Sequence, residues 1–136
     1  MIFLCDYYNQ ASKDLAYSLQ AAGYDATTVV INPDGFLSQG ALSPFTYYVE
    51  TEEETGKPRF FNQVPVPAFW EISGNNQMAR VSNLTEERAR ITYPEGSKAR
   101  IVKSVEWLDK SGKIRQVDHY NKYGFCFAKT THDENG

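Results

Sequence analysis

The sequence predicts an α+β chain that is mainly β: a short β-α-β start followed by an antiparallel β-meander. Three observations carry this. Near the C-terminus three tetrapeptides fall in step, Asp109-Lys-Ser-Gly112, Asn121-Lys-Tyr-Gly124 and Asp133-Glu-Asn-Gly136, with successive glycines twelve residues apart. Asp or Asn opens each turn through its side chain and Gly closes it in the left-handed region, and the interval between turns suits one strand. The opening stretch reads strand, helix, strand. Tyr and Phe, with nine and eight copies, dominate the aromatic content, which suits rings packed across a sheet. No strand follows the third turn at Gly136, the pattern expected of a fragment of a longer protein.

Ile2-Phe-Leu-Cys5 reads as a buried strand. Asn9 or Ser12 caps the helix that follows; Leu15, Ala16, Leu19 and Ala22 share one of its faces, and Gly23 ends it. Thr27-Thr-Val-Val-Ile31 is β-branched throughout and forms the second strand. Together they make the minimal parallel crossover. Two parallel strands cannot bury both faces alone, so neighbours from further sequence are expected. Asn32-Pro-Asp-Gly35 then turns the chain, and no further helix pattern appears. Residues 1–33 are assigned to the crossover and 34–136 to the meander.

Within the meander, Phe45 to Glu50 reads as a strand, Glu52-Glu-Glu-Thr-Gly56 as an acidic hairpin tip, and Arg59 to Val64 as the returning strand. Pro65 and Pro67 cannot donate to a ladder and mark an edge, a bulge or a corner before Ala68 to Ile72 continues extended. Gly74-Asn-Asn76 and Pro94-Glu-Gly96 are turns, and Asn83-Leu84-Thr85 is loop. The remaining strands are Ala79–Ser82, Arg88–Tyr93, Lys98–Leu108, Ile114–Tyr120 and Phe125–Thr131.

The net charge of −3 over 136 residues leaves no basic excess to neutralise phosphates. Nucleic-acid binding and docking on anionic membranes are therefore disfavoured. The apolar start stops at Asp6, too short for a signal-peptide core or a membrane span. Cys5 and Cys126 sit in strand-like apolar runs at opposite ends of the chain. They read as reduced, buried thiols, which points to the cytoplasm.

Catalytic and metal chemistry find little support. His119 and His132 are thirteen apart with no cysteine pair beside them. Asp118 and His119 are adjacent on a strand, so they point to opposite faces and do not converge on one ligand. The first strand is followed by Asp6-Tyr-Tyr-Asn-Gln10 rather than by the glycines a phosphate-cradling loop requires. Glu52–Glu54 reads as a solvated tip. Trp70, Trp107, Tyr120 and Tyr123 are candidates for a stacking surface for sugar rings or an extended peptide; Trp70 and Trp107 read better as packing the sheet, while the turn position of Tyr123 is expected to expose its side chain.

Several phrases go beyond generic sheet. Phe60-Phe-Asn-Gln-Val-Pro-Val-Pro-Ala-Phe-Trp-Glu-Ile72, Val102-Lys-Ser-Val-Glu-Trp-Leu-Asp109, Asp118-His-Tyr-Asn-Lys-Tyr-Gly124 and Phe127-Ala-Lys-Thr-Thr131 are the main ones. With Asp6-Tyr-Tyr-Asn9 and Asp34-Gly-Phe-Leu37, they resemble the N-terminal part of the GtfB family across nearly the whole chain. That family comprises the stabilising, chaperone-like subunits of the O-glycosyltransferase serving the accessory Sec system. The resemblance implies a catalytic partner, GtfA, in the cytoplasm of Gram-positive bacteria. It also implies transfer of N-acetylglucosamine from UDP-GlcNAc to Ser and Thr of serine-rich-repeat adhesins before export. No cofactor is expected on this chain, since UDP-GlcNAc would sit on the partner. Membrane association of the full complex is compatible with the family but is not encoded in these residues. Residues 1–33 would open a Rossmann-like domain, and 34–136 would form the extended β-sheet add-on inserted in it.

A low-complexity acceptor offers little side-chain information, so a broad sheet with polar side chains along its face suits it. Gln116, His119, Tyr120, Asn121, Tyr123 and Thr130 are the residues expected to contact the acceptor polypeptide; no catalytic or metal-binding residue is assigned. The same face docking the partner subunit is the open alternative. Rival functional readings are a fragment of an active glycosyltransferase whose donor site lies elsewhere, and a carbohydrate-binding β module using exposed aromatics.

Overall fold

The computed structural model describes residues 1–47 and 56–136. It divides into two compact units, Met1–Glu52 and Glu53–Gly136.

In the first unit β1 (Ile2–Cys5) and β2 (Thr27–Val30) pair in parallel, Ile2 opposite Thr27 and Cys5 opposite Val30, with α1 (Gln10–Ala21) as the crossover. Asn9 is the cap: its Oδ1 accepts from the Ser12 N–H at 3.0 Å. Ser12 instead lies inside the first turn and donates its hydroxyl to the Tyr7 carbonyl at 2.7 Å. The helix closes at Gly23 (φ +88°), where the Tyr24 N–H reaches back to the Leu19 carbonyl at 3.1 Å. Of its apolar stripe only Ala16 and Leu19 are half-buried, while Leu15 and Ala22 are exposed.

A third strand, β3 (Ala41–Leu42), adds in parallel to β2. The first sheet therefore extends past residue 33, and the division between compact units falls after Glu52 rather than at the boundary read from sequence. The strand expected from Phe45 is also corrected. Pro44–Tyr47 is a short helix, α2, whose start is held by the Ser43 hydroxyl accepting from the Phe45 N–H at 3.3 Å. Serine followed by proline at the first helical position is a helix start, and here it overrides the β-forming aromatics. Residues 48–50 of that expected strand and the acidic run Glu52–Glu54 lie outside the described residues.

The second unit is a six-stranded antiparallel sheet in chain order: β4 (Glu71–Gly74), β5 (Met78–Asn83), β6 (Glu86–Thr92), β7 (Ser104–Leu108), β8 (Ile114–Tyr120) and β9 (Cys126–Thr131). All three tetrapeptide turns form. Asp109 Oδ1 accepts from the N–H groups of Ser111 (2.8 Å) and Lys113 (3.0 Å), and the Gly112 N–H returns to the Asp109 carbonyl at 3.0 Å. Asn121 repeats this with Tyr123, Phe125 and Gly124, and Asp133 with Asn135 and Gly136. The three glycines have φ of +81°, +86° and +110°.

One face of this sheet carries the core: Ala79, Val81, Ala89, Ile91, Val105 and Tyr120, roofed by Phe61, Val64, Val66 and Trp70 from the segment leading into β4. That roof is not the strand pair expected from Arg59–Val64 and Ala68–Ile72. Only Phe60 makes a bridge, to Ile101, before a 3₁₀ turn at Phe61–Gln63. The Trp70 N–H bonds to the Pro67 carbonyl at 3.2 Å, so the chain turns there and β4 starts at Glu71. A segment with prolines two apart cannot sustain a ladder, so it crosses the apolar face instead. Likewise the strand expected from Lys98 begins only at Ser104. The thiols also differ from expectation: both are free, but Cys5 is half-buried and Cys126 exposed, since β9 is an edge strand.

The roof is anchored where it passes the β8–β9 turn. The Arg59 carbonyl accepts from the Val102 N–H at 2.8 Å, and Arg59 Nε donates to the Gly124 carbonyl at 3.2 Å. A Cβ on Gly124 would lie 2.5 Å from the Lys57 carbonyl oxygen, whereas one on Gly112 would meet open space. Both glycines are left-handed, so comparing them separates backbone strain from steric contact. Gly112→Ala is expected to cost about 1 kcal/mol. Gly124→Ala is expected to cost about 2–4 kcal/mol, because the Lys57–Arg59 segment must also move. Urea denaturation of the two variants checks this, and equal losses would remove the role given to the close approach.

Candidate functional site

The face of the six-stranded sheet opposite the core has no roof among the described residues. Register places its side chains in two rows. One runs Met78, Thr92, Ser104, His119, Ala128 across β5 to β9. The other runs Ser73, Arg80, Arg90, Glu106, Val117, Thr130 across β4 to β9. Two hydrogen bonds join neighbouring strands across this surface. Thr92 Oγ1 meets Ser104 Oγ at 2.6 Å, and His119 Nε2 meets Thr130 Oγ1 at 2.8 Å. Two arginines face two glutamates here: Glu87 pairs with Arg90 at 2.5 Å and with Arg80 at 3.6 Å, and Glu106 stands opposite Arg90, which relieves the like charges of Arg80 and Arg90 placed directly opposite.

His119 is half-buried, with the Phe127 ring 6.4 Å from its own. Burial lowers its pKa from 6.5; Asp118 opposes that shift and Lys103 adds to it. The imidazole is thus neutral at pH 7, with one nitrogen engaged by Thr130. Its Nδ1 makes no hydrogen bond among the described residues.

The six residues expected to share the acceptor surface fall in three environments. His119 and Thr130 stand together on the open face. Gln116 and Tyr120 point to the other side: the Gln116 amide donates to Asp118 Oδ1 at 2.6 Å, and Tyr120 is buried in the core beneath the Arg59 guanidinium, 5.5 Å from its ring. Asn121 is buried and spends its side chain capping its turn. Tyr123, expected to be exposed by its turn position, is half-buried, with Lys122 Nζ 5.5 Å above its ring. Asp118 and His119 do diverge. Asp118 is buried on the core side and accepts from Trp107 Nε1 at 2.9 Å. Thr92 and Ser104 were missed, because only the β6–β7–β8 register brings them beside His119.

Elsewhere, the first unit carries a groove of about 510 Å³ between α1 and the 38–40 segment, lined by Tyr8, Lys13, Tyr17, Tyr24 and Ser38 among others. Among the described residues no group of three or more His, Cys, Asp or Glu could hold a metal ion. No helix there is long and apolar enough to cross a membrane.

The depressed His119 pKa has a definite consequence for stability. As pH falls through 6.5 the unfolded chain takes up the proton before the folded one does. The stability contributed above that value is therefore lost on acidification, until pH drops below the lowered folded value. Urea denaturation at pH 7.5 and 5.5 is expected to show wild type losing more stability than His119→Gln. Identical losses would contradict a neutral, half-buried imidazole.

Comparison with known proteins follows the same two-part division. The family profile of the GtfB N-terminal domain matches residues 2–48, and that of the GtfB middle domain matches residues 70–136. The chain is 55% identical over 132 residues to the UDP-N-acetylglucosamine–peptide N-acetylglucosaminyltransferase stabilizing protein GtfB of Streptococcus gordonii. It is 56% identical over 132 residues to the protein of the same name from Streptococcus pneumoniae. Each alignment covers 97% of this chain but 29% of the relative. A crystal structure of a GtfA/B complex bound to UDP and GlcNAc contains a chain 54% identical to this one, at a TM-score of 0.80 over 98% of this chain and 30% of that one. A glycosylation-associated protein complex from Streptococcus agalactiae matches at 14% identity and a TM-score of 0.66, a likeness of fold alone. With both of its units matched by profiles of one family, and with relatives above 50% identity along nearly its whole length, the chain belongs to the GtfB family, of whose curated members it spans about three-tenths.

Proposed function

We propose that this chain is a non-catalytic part of a bacterial protein O-glycosyltransferase complex. Its six-stranded unit holds the unmodified Ser/Thr-rich acceptor, and the whole contributes to stabilising the catalytic subunit. The first unit is the start of a Rossmann-like domain, and the meander is the add-on inserted in it. The partner is the catalytic subunit GtfA, which carries UDP-GlcNAc; the acceptor is a serine-rich-repeat adhesin; the compartment is the cytoplasm. The observation that carries this reading is the open sheet face, polar and charge-balanced, on a chain whose relatives bear the name of a transferase-stabilising protein. A low-complexity acceptor presents backbone and hydroxyls but few anchors. A broad polar face can hold many similar segments weakly and release them.

Titration of the chain separately with an unmodified serine-rich acceptor fragment, with purified catalytic subunit and with UDP-GlcNAc tests the proposal. Binding of acceptor and partner is expected, with none of UDP-GlcNAc alone. Turnover without the partner would establish the active-transferase reading instead. Binding of free N-acetylglucosamine oligomers, lost on Tyr123→Ala, would establish the carbohydrate-module reading.

A further inference from the structure

We propose that the row Thr92, Ser104 and His119, with Thr130 of the adjacent row bonded to its imidazole, reads hydroxyls, and that in it His119 distinguishes a Ser or Thr of an extended polypeptide from an alanine. The inference rests on the acceptor-holding reading above and assigns it to four side chains on one face.

The row has the chemistry for this ligand and lacks it for others. Thr92, Ser104 and His119 stand on three consecutive strands in direct cross-strand register, and Thr130 meets the imidazole from the fourth. None carries a charge at neutral pH; of the charges beside the row, Arg80 and Arg90 share Glu87, Glu106 stands opposite Arg90, and Lys103 lies near His119. An anionic or cationic segment would find no countercharge in the row; an uncharged, hydroxyl-bearing chain finds a match.

The hydroxyl pair of Thr92 and Ser104 uses one donor between them, leaving one O–H and further lone pairs free to bond outward. The imidazole is permissive in the same way. If Nε2 accepts from Thr130, Nδ1–H is a donor; if Nε2 donates, Nδ1 is an acceptor. A hydroxyl both donates and accepts, so it satisfies either tautomer, while a methyl satisfies neither.

The test is fluorescence anisotropy on the 136-residue chain with two synthetic fifteen-residue peptides: an unmodified Ser/Thr-rich repeat, and the same peptide with every Ser and Thr replaced by Ala. Wild type is expected to prefer the first by about fivefold or more, the ratio corresponding to about one neutral hydrogen bond. His119→Phe, which keeps a ring at the position, and Ser104→Ala should each bring that ratio close to one while near-UV circular dichroism stays native. The wild-type ratio is read whether or not the variants fold. A wild-type ratio near one would overturn hydroxyl reading while leaving a backbone-held acceptor intact. A preference unchanged in both folded variants would place the discrimination outside this row. No binding of either peptide would sink the acceptor-holding reading together with the row.

Discussion

The second unit depends on its turns. In each of the Asp109 and Asn121 hairpins a single side-chain oxygen gathers N–H groups from inside the turn while a left-handed glycine closes it. Five residues then separate the strands, and register is fixed at both ends of β8. Register decides everything that follows, because a slip of one residue exchanges the two faces of a strand. In β8 that exchange would drive Asp118 and Tyr120 out of their buried positions and turn His119 inward. The ladder does shift beside each turn, between Trp107 and Leu108 and between His119 and Tyr120. These irregularities are confined to the hairpin ends, so the middle of each strand keeps its sides.

With the faces fixed, the two sides follow different rules. The core side is small and β-branched where β5, β6 and β7 meet, with Ala79, Val81, Ala89, Ile91 and Val105 fully buried. Small residues let the roofing segment approach closely enough for Trp70 and Phe61 to cover them. Toward β8 this side becomes polar, yet Asp118 is buried there without strain on the hydrogen-bond balance. Trp107 and Gln116 each occupy one of its carboxylate oxygens. The open side carries polar rows that are satisfied within the sheet and retain capacity to bond outward. That division explains why the same strands can be both a stable core and a surface.

Legibility in the sequence tracked how local the physics was. The crossover, the helix end at Gly23 and the three Asx-Gly turns depend on neighbouring residues, and each stands where its residues predict. Ile114–Tyr120 was read to the residue because turns bound it on both sides. The segment from Arg59 to Ile72 was misread because its conformation is set by the apolar face it covers rather than by its own alternation. Phe69 and Leu84 adopt left-handed backbone at φ of 70° and 47°, which a reading that reserves such positions for Gly and Asn does not anticipate. Of the six residues suggested for the acceptor surface, His119 and Thr130 share the open face, whereas the other four lie close to them in sequence rather than in register.

The proposed placement of an acceptor site on the meander has a physical rationale. An acceptor of low complexity gives a receptor no large side chain to bury, so affinity cannot come from an apolar pocket. It must come from repeated modest contacts, and these are selective only if the receptor's polar groups would otherwise lack a partner. A sheet supplies that geometry cheaply: adjacent strands lie about 4.8 Å apart, so side chains in cross-strand register present a regular ladder without any loop being ordered on binding. His119 fits the role because its imidazole is half-buried, neutral and tied at one nitrogen, which leaves the other fixed in place. Glutamine at that position could offer comparable hydrogen bonds, but its flexible side chain would lose more freedom in making them. On the reading proposed above, the rigid ring between β7 and β9 is therefore the feature of this face that would let a general polar surface tell a hydroxyl from a methyl.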